Sequence, residues 1–164
     1  MQPITPPQKE IKKGLVSACI VTRNASESLY CYLNSLKNSA GDSIPLEIVV
    51  VDNESTDDTE TMLKENFPQA RYFYQKPGVG FSKGINIAMQ NSTGEFILIA
   101  TPSTEILPDC LPQLLGFLEK SDRTGLVGPK IIHPDGSTQH SSKKMPHPKV
   151  AMLHTLYLLG FIRS

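Results

Sequence analysis

The chain alternates short apolar runs with amphipathic stretches of helical periodicity, and this alternation restricts its fold more than any other feature. The apolar runs, rich in β-branched or aromatic residues, span 15–21, 46–51, 71–74 and 96–100. Their length and composition favour buried strands over helices. Strands that alternate with helices of this length predict an α/β fold with right-handed βαβ units around a mostly parallel central sheet.

Local signals predict where the four helices between and after these strands begin and which faces they bury. The first is expected to start at a cap formed by Asn24 or Ser26. The second follows the acid-rich segment 53–58, whose charges complement a helix dipole, and runs to about Asn66. The inward positions predicted for the third and fourth helices are Phe81, Ile85, Ala88, Met89, Leu111, Leu114, Leu115 and Leu118.

Beyond the fourth helix the strand–helix alternation stops. A Pro-Asp-Gly turn at 134–136, between extended segments at 126–132 and 137–140, predicts a hairpin. The amino-terminal segment is rich in proline and lysine and lacks the apolar core of a signal peptide. We therefore divide the chain into a polar leader (1–14), a main domain (15–146) and an amphipathic carboxyl-terminal segment (147–164).

Composition excludes several classes of protein. Sixteen basic residues balance sixteen acidic ones, whereas a nucleic-acid-binding domain normally carries a basic excess, so no nucleic-acid partner is expected. Three cysteines without a CxxC pair indicate a reducing compartment and neither a disulfide framework nor a zinc site. No apolar run reaches the length of a transmembrane helix. We therefore expect a cytoplasmic protein.

Polar residues follow three of the predicted strands where each strand ends. They are Thr22-Arg23-Asn24, Asp52-Asn53 and Thr101-Pro102-Ser103. Ligands of parallel sheets bind beyond the carboxyl ends of the strands, so these residues are expected at the ligand-binding edge. The Asp52 carboxylate suits hydrogen bonds from a base or ribose, and a helix-capping role in a βα loop explains it equally well.

The glycine-rich segment 78–84 does not meet a known phosphate-binding fingerprint. Its G-x-G-x-x-x-G spacing matches neither the dinucleotide-binding motif nor the P-loop. Lys83 within it is either a phosphate ligand or a solvated helix residue. Because the first strand lacks a following glycine fingerprint, an oxidoreductase of Rossmann type is disfavoured.

Successive sequence blocks resemble the family 2 glycosyltransferases, and in particular their rhamnosyltransferase-like subgroup. The blocks are 20–24 (IVTRN), 49–57 (VVVDNESTD), 80–86 (GFSKGIN), 93–99 (TGEFILI) and 127–131 (VGPKI) with 135–137 (DGS). They occur in the family order between about Leu15 and Pro146. The resemblance implies a GT-A fold, a Rossmann-like βαβ sandwich, here truncated before the acceptor half.

The resemblance also implies an activity. Such enzymes transfer a sugar from a nucleoside-diphosphate sugar to an acceptor hydroxyl, on a glycan or lipid-linked acceptor, in cell-surface polysaccharide synthesis. Mg²⁺ or Mn²⁺ usually stabilises the leaving diphosphate. The matching positions that would bind the nucleotide sugar are Thr22, Arg23, Asn24, Asp52, Asn53, Ser55, Asp57, Gly80, Lys83, Asn86, Thr101 and Ser103.

Three departures from the family pattern bear on activity. Arg23 stands where a base-stacking tyrosine is common, although a guanidinium can also stack. Thr101 and Ser103 stand where the family has carboxylate metal ligands, and hydroxyls are poor substitutes. Glu105 or Asp109 would have to compensate, but the start of a helix explains both equally well. The downstream acidic pair that supplies the catalytic base is not matched, so we assign no catalytic or metal-binding residue.

Two functions therefore stay open at the level of sequence. One is the donor-binding half of a glycosyltransferase, completed by a carboxyl-terminal half or by another chain in an oligomer. The other is a catalytically degenerate domain that binds a nucleotide or a partner protein. The apolar stretch 150–162 either contacts a membrane surface near a lipid-linked acceptor or covers the sheet edge, and we favour the latter.

Overall fold

The computed structural model of the chain describes residues 9–120 and 123–139, and it confirms the predicted α/β order. The elements over residues 12–119 are β1 (Lys12–Thr22), α1 (Ser26–Ala40), β2 (Leu46–Asp52), α2 (Thr59–Asn66), β3 (Arg71–Tyr74), α3 (Phe81–Gln90), β4 (Gly94–Ala100) and α4 (Cys110–Glu119). The four strands form one sheet in the order β3-β2-β1-β4, with every neighbouring pair parallel. The two central strands, β1 and β2, are therefore paired on both sides.

The sheet buries a hydrophobic layer on each face, because alternate residues of a strand point to opposite sides. On one face, Ile20 and Val50 pack with the apolar sides of α1 and α2 and with Leu111 of α4. On the other face, Val21 and Val51 pack against α3. From Val16 in β1 and Ile48 in β2 onward the central strands are buried, which explains their near-continuous apolar sequence.

Glycine at position 84 allows α3 to lie close to the sheet. A Cβ atom at Gly84 would lie 2.8 Å from Cγ2 of Val21, which is closer than van der Waals contact. The first turn of α3 is thereby held against the carboxyl end of β1. Close packing of this kind places the start of the helix at the predicted ligand-binding edge.

The opposite edge of the sheet is held together by Glu47. Its carboxylate accepts hydrogen bonds from Ser17 Oγ (2.5 Å) and the Thr93 amide (2.6 Å), and it forms an ion pair with Arg71 at 3.3 Å. Ser17 Oγ in turn accepts from the Gly94 amide at 2.8 Å. Burial favours a higher pKa for Glu47, but these donors outweigh it and the net pKa lies below the ordinary value.

Several predicted faces and caps were wrong. The N-cap of α1 is Ala25, and no side chain of its own turn caps the helix. The predicted buried strand 96–100 is exposed on one face, with Ile99 51% exposed, because β4 ends the described sheet and α3 packs mainly over β1 and β2. Phe81 and Met89 of α3 are also exposed. In α4, Leu111 is buried whereas Leu114, Leu115 and Leu118 are half-buried.

The chain divides into two compact units, Met1–Val127 and Gly128–Ser164. The described part of the second unit is a short antiparallel hairpin of β5 (Ile131–Ile132) and β6 (Thr138–Gln139). The turn at 134–136 is confirmed, with Gly136 at a φ of 82°. The predicted extended segment 126–132 is longer than the observed strand, Ile131–Ile132, because Pro129 has no amide hydrogen to donate to a ladder.

Some predictions fall outside the described residues. The carboxyl-terminal segment 147–164 lies wholly outside them, as do His140 and the first eight residues of the leader. The end of the leader is described, and β1 already begins at Lys12, with its amide bonded to the Thr93 carbonyl at 2.8 Å. Within the described ranges, every helix is too short or too polar to span a membrane.

Candidate functional site

Four loops meet at the carboxyl edge of the sheet, because all four strands are parallel. They are residues 23–25, 53–58, 75–80 and 101–109, which follow β1, β2, β3 and β4. Thr22 and Asp52 are register partners on the two central strands. The Asn53 amide donates to the Thr22 carbonyl at 2.9 Å and continues the ladder into the loop.

Asp52 is buried and both of its carboxylate oxygens accept hydrogen bonds. The residue is 1% exposed. Oδ1 accepts from the Ser55 amide at 2.8 Å, and Oδ2 accepts from Tyr72 Oη at 2.6 Å. Burial and the neighbouring carboxylate both raise the pKa of Tyr72, so the phenol stays a proton donor. Asp52 therefore fixes the loop after β2 and joins it to β3.

Thr22 carries a buried hydroxyl that has no hydrogen-bond partner within the described residues. The residue is 2% exposed and ends β1 directly beside Asp52. An unsatisfied buried hydroxyl costs about 1–3 kcal/mol, and such groups in native proteins call for an explanation. Tyr32 Oη, in the core beneath α1, is a second such group in the part of the chain that the structure describes, and Thr22 differs from it in lying beside Asp52 at the strand ends.

The loop after β1 is tied to the loop after β2 by reciprocal hydrogen bonds. The Asn24 amide donates to Ser55 Oγ at 2.8 Å, and Asn24 Oδ1 accepts from the Thr56 amide at 2.7 Å. Asn24 has a φ of 47°, a conformation that asparagine tolerates better than most residues. Asn24 and Ser55 therefore use these polar atoms to join the two loops to each other.

Asp57 caps α1 from the neighbouring loop. Its Oδ2 accepts from the Ser26 amide at 3.0 Å, and Oδ1 accepts from Thr59 Oγ1 at 2.6 Å. Partial burial favours a higher pKa for Asp57, but the bonds from Thr59 and Ser26 outweigh it and the net pKa is lowered. The missing local cap of α1 is thus replaced by a carboxylate that joins two helix starts.

Asn53 holds the loop that leads into α3. Its Oδ1 accepts from the amides of Val79 (2.5 Å) and Gly80 (3.1 Å). The Gly78 amide donates to Glu54 Oε2 at 3.1 Å. Gly80 has a φ of 77°, which favours glycine, and it precedes the first residue of α3.

Arg23, Lys83 and Asn86 are exposed, as are Thr101 and Ser103 after β4. Arg23 follows β1, and Lys83 and Asn86 lie on α3, whose first turn contains no acidic residue. Within the described ranges, neither Arg23 nor Lys83 forms an ion pair. The contact of Gly84 with Val21 brings the first turn of α3 to the end of β1. A basic residue thus follows β1, and another lies on the first turn of α3 at the same edge.

The residues in the place of metal ligands do not fit a divalent cation. Thr101 Oγ1 and Ser103 Oγ lie 3.0 Å apart and share a hydrogen bond. Mg²⁺ and Mn²⁺ favour carboxylate oxygens, which neither residue has. Over residues 9–120 and 123–139, no group of three or more His, Cys, Asp or Glu side chains is placed to hold a metal.

Sequence reasoning missed two residues that shape the site. Tyr72 binds Asp52, and Glu54 binds the Gly78 amide. Tyr72 could have been found from strand alternation, because its register partner Val50 lies on the same sheet face as Asp52. Glu54 gave no such signal, since its role depends on the approach of a loop 24 residues away.

Comparison with known proteins places the chain in a family. The model of glycosyl transferase family 2 matches residues 17–162. An N-acetylglucosaminyl-diphospho-decaprenol L-rhamnosyltransferase of Mycobacterium tuberculosis is 29% identical over 137 residues, which are 77% of this chain and 44% of that protein. The match therefore spans less than half the length of this curated relative.

Solved structures show the same fold. The crystal structure of S. aureus TarS in complex with UDP-GlcNAc matches with a TM-score of 0.58 and 21% identity, over 71% of this chain and 40% of that one. Mannosyltransferase PcManGT from Pyrobaculum calidifontis, in complex with GDP-Man and Mn²⁺, matches with a TM-score of 0.59 and 21% identity, over 79% and 38%. The predicted GT-A fold is confirmed. The chain belongs to glycosyl transferase family 2.

Proposed function

We propose that the chain is the donor-binding part of a glycosyltransferase, which passes a sugar from a nucleoside-diphosphate sugar to an acceptor hydroxyl. The observation that carries this proposal is the buried, unpartnered hydroxyl of Thr22 beside Asp52 at the carboxyl edge of the sheet. A base or ribose group at this edge would satisfy it. The nucleotide-sugar complexes of TarS and PcManGT support the same class of ligand.

The predicted site residues fall into two groups within this proposal. The first group, the frame, holds the loops together by hydrogen bonds and includes the glycine that forms the turn into α3. Its members are Asn24, Asp52, Asn53, Ser55, Asp57 and Gly80. The proposed contact residues are Thr22, Arg23, Lys83, Asn86, Thr101 and Ser103. Arg23 is suited to stacking on the base and Lys83 to the phosphates.

The acceptor is proposed to be a glycan or a lipid-linked sugar at a membrane surface. The name of the mycobacterial relative, with its diphospho-decaprenol acceptor, supports this class. A cytoplasmic location is part of the proposal, and the free thiols of Cys19, Cys31 and Cys110 support a reducing compartment.

A second candidate is a degenerate domain that has kept the fold and a nucleotide or partner site without catalysis. The pairing of Thr101 with Ser103, where carboxylates would bind a metal, favours it. Nucleotide binding distinguishes donor binding from a role confined to protein association.

The test is calorimetric titration of the chain with UDP, dTDP and GDP. We expect one of them to bind with a Kd near micromolar, about −8 kcal/mol. Thr22→Val should weaken that binding about tenfold without lowering the free energy of unfolding, because it replaces an unsatisfied hydroxyl by a methyl group. Thr61→Val, on the exposed side of α2, is the matched control.

Two results would count against the proposal. If none of the three nucleotides binds, with or without Mn²⁺, the result favours the degenerate association domain. If a nucleotide binds with equal affinity to Thr22→Val and to the wild type, the ligand lies elsewhere than beside Thr22.

A further inference from the structure

We propose that this chain binds the diphosphate of its ligand without a divalent cation and balances the charge with Lys83, while Arg23, which stacks on the base, adds positive charge at the same edge. The inference rests on the proposed donor site and concerns how that site holds the diphosphate. Its starting point is the donor set at Thr101 and Ser103, two neutral hydroxyls that bond to each other. A metal that offsets the negative charge of a diphosphate is usually held by carboxylates. Two neutral hydroxyls hold it poorly and carry no charge of their own.

The two downstream acids are led away from the edge. The Ile106 amide is bonded to Ser35 Oγ and the Leu111 amide to Ser39 Oγ, both at 3.0 Å. At 1.5 Å per helical residue, these serines lie roughly 14 and 20 Å along α1 from its start at the carboxyl edge. The chain after Glu105 and Asp109 is therefore anchored along α1 and away from the edge, and within the described residues neither acid belongs to a cluster that could hold a metal.

The acids of the loop after β2 are already engaged. Asp52, Glu54 and Asp57 each accept at least one backbone amide. Asp58 is exposed and, within the described residues, accepts no side-chain hydrogen bond at the start of α2. One exposed carboxylate does not make a site for Mg²⁺ or Mn²⁺, which need several oxygen ligands in a fixed geometry.

Positive charge is present at the same edge. Lys83 lies in the first turn of α3, which contains no acid, and the close contact of Gly84 with Val21 holds that turn at the end of β1. Arg23 is two residues beyond Val21 and is exposed. The positive end of the helix dipole adds to both cations, so anionic oxygens are favoured here without a metal.

The first experiment is titration of the full chain with UDP, dTDP and GDP, each in excess Mn²⁺ and again in excess chelator. We expect the Kd values of the binding nucleotide to agree within about twofold between the two conditions. Lys83→Ala should raise the Kd of that nucleoside diphosphate about tenfold and should change the Kd of the corresponding nucleoside much less. Lys64→Ala, on α2, is the control for loss of a surface charge.

The second experiment restores the carboxylates. The double variant Thr101→Asp/Ser103→Asp should bind Mn²⁺, seen by electron paramagnetic resonance, and should bind the nucleotide about tenfold more tightly with Mn²⁺ than with chelator. The matched control is Thr101→Asn/Ser103→Asn, which has the same size without the charge and should stay metal-independent.

The outcomes separate this inference from the proposed function. Wild-type binding that requires Mn²⁺ overturns the inference and leaves the donor site standing. A double aspartate variant that binds nucleotide but gains no dependence on Mn²⁺ also overturns it, because Thr101 and Ser103 would then lie away from the diphosphate. Absence of binding under every condition rejects the donor site itself.

Discussion

Tyr72 Oη donates a 2.6 Å hydrogen bond to Oδ2 of Asp52, the buried carboxylate that ends the neighbouring strand. The bond joins β3 to the loop that carries most of the site frame. It also means that a carboxylate for which the sequence pattern left ligand binding and helix capping open already has a protein donor on each oxygen. Asp52 is therefore expected to affect stability as well as binding.

Removal of the phenol should destabilise the fold. In Tyr72→Phe, Oδ2 of Asp52 loses its donor inside the protein, which should lower the free energy of unfolding by about 2 kcal/mol. Urea denaturation measures this value. Tyr74→Phe is the control, since Tyr74 is 44% exposed and should change stability by less than about 0.5 kcal/mol. Equal effects of the two variants would show that the Asp52 bond contributes nothing.

Asp57, which caps α1 from the neighbouring loop, should contribute more to the stability of the fold than Asp58 does. Asp57→Ala removes the acceptor of the Ser26 amide and of Thr59 Oγ1, and we expect a loss of about 1 kcal/mol. Asp58→Ala removes an adjacent acid that makes no cap hydrogen bond and should be close to neutral. Thermal unfolding of both variants tests the difference. A larger loss in Asp58→Ala would contradict the assigned cap.

Two helical glycines should respond to alanine in opposite directions. In Gly84→Ala the new methyl group meets Val21 at 2.8 Å, and overpacking of this kind costs about 1–3 kcal/mol. Gly116 of α4 has nothing within 4 Å of its Cβ position, so Gly116→Ala should stabilise the chain by up to about 1 kcal/mol. Chemical denaturation of both variants decides the point; a stabilised Gly84→Ala would refute the close contact.

Stability should depend on pH through Glu47. Because its folded pKa is lowered, its contribution is fully present above the unfolded pKa and is lost as pH falls through the lower folded value. Glu47→Gln should therefore cost about 2 kcal/mol at pH 7, and the difference from the wild type should shrink under acidic conditions. Urea titrations across this range measure it, and a difference independent of pH would contradict the role of the ionised carboxylate.

The alternation of strands and helices along the chain and the ligand edge could be predicted because they follow from local pattern. The run 48–51 is apolar at every position, which a doubly covered central strand requires, and Asp52 marks its end. The same reasoning failed at β4, whose run 96–100 is equally apolar although Ile97 and Ile99 are exposed. Periodicity reports the chemistry of a strand and not which of its faces has a neighbour in the described sheet.

The roles of individual site residues could not be predicted, because they depend on contacts between separate loops. Asn24 looks like a helix cap in sequence, yet its side chain accepts the Thr56 amide 32 residues away. Asn53 looks like a pocket residue and instead carries the Val79 and Gly80 amides. A polar residue at a strand end indicates the edge, but its partner is fixed only when the loops come together.

The bonds of Asn24, Asn53 and Asp57 have an energetic consequence for any ligand at this edge. Because they fasten the loops after β1, β2 and β3 to one another, these loops are already ordered before a ligand arrives. Ordering a mobile backbone on binding would cost about 1–2 kcal/mol of conformational entropy per residue. Here the loops are ordered when the domain folds. They are therefore pre-organised for a ligand, and the affinity of the site depends on the stability of the domain itself.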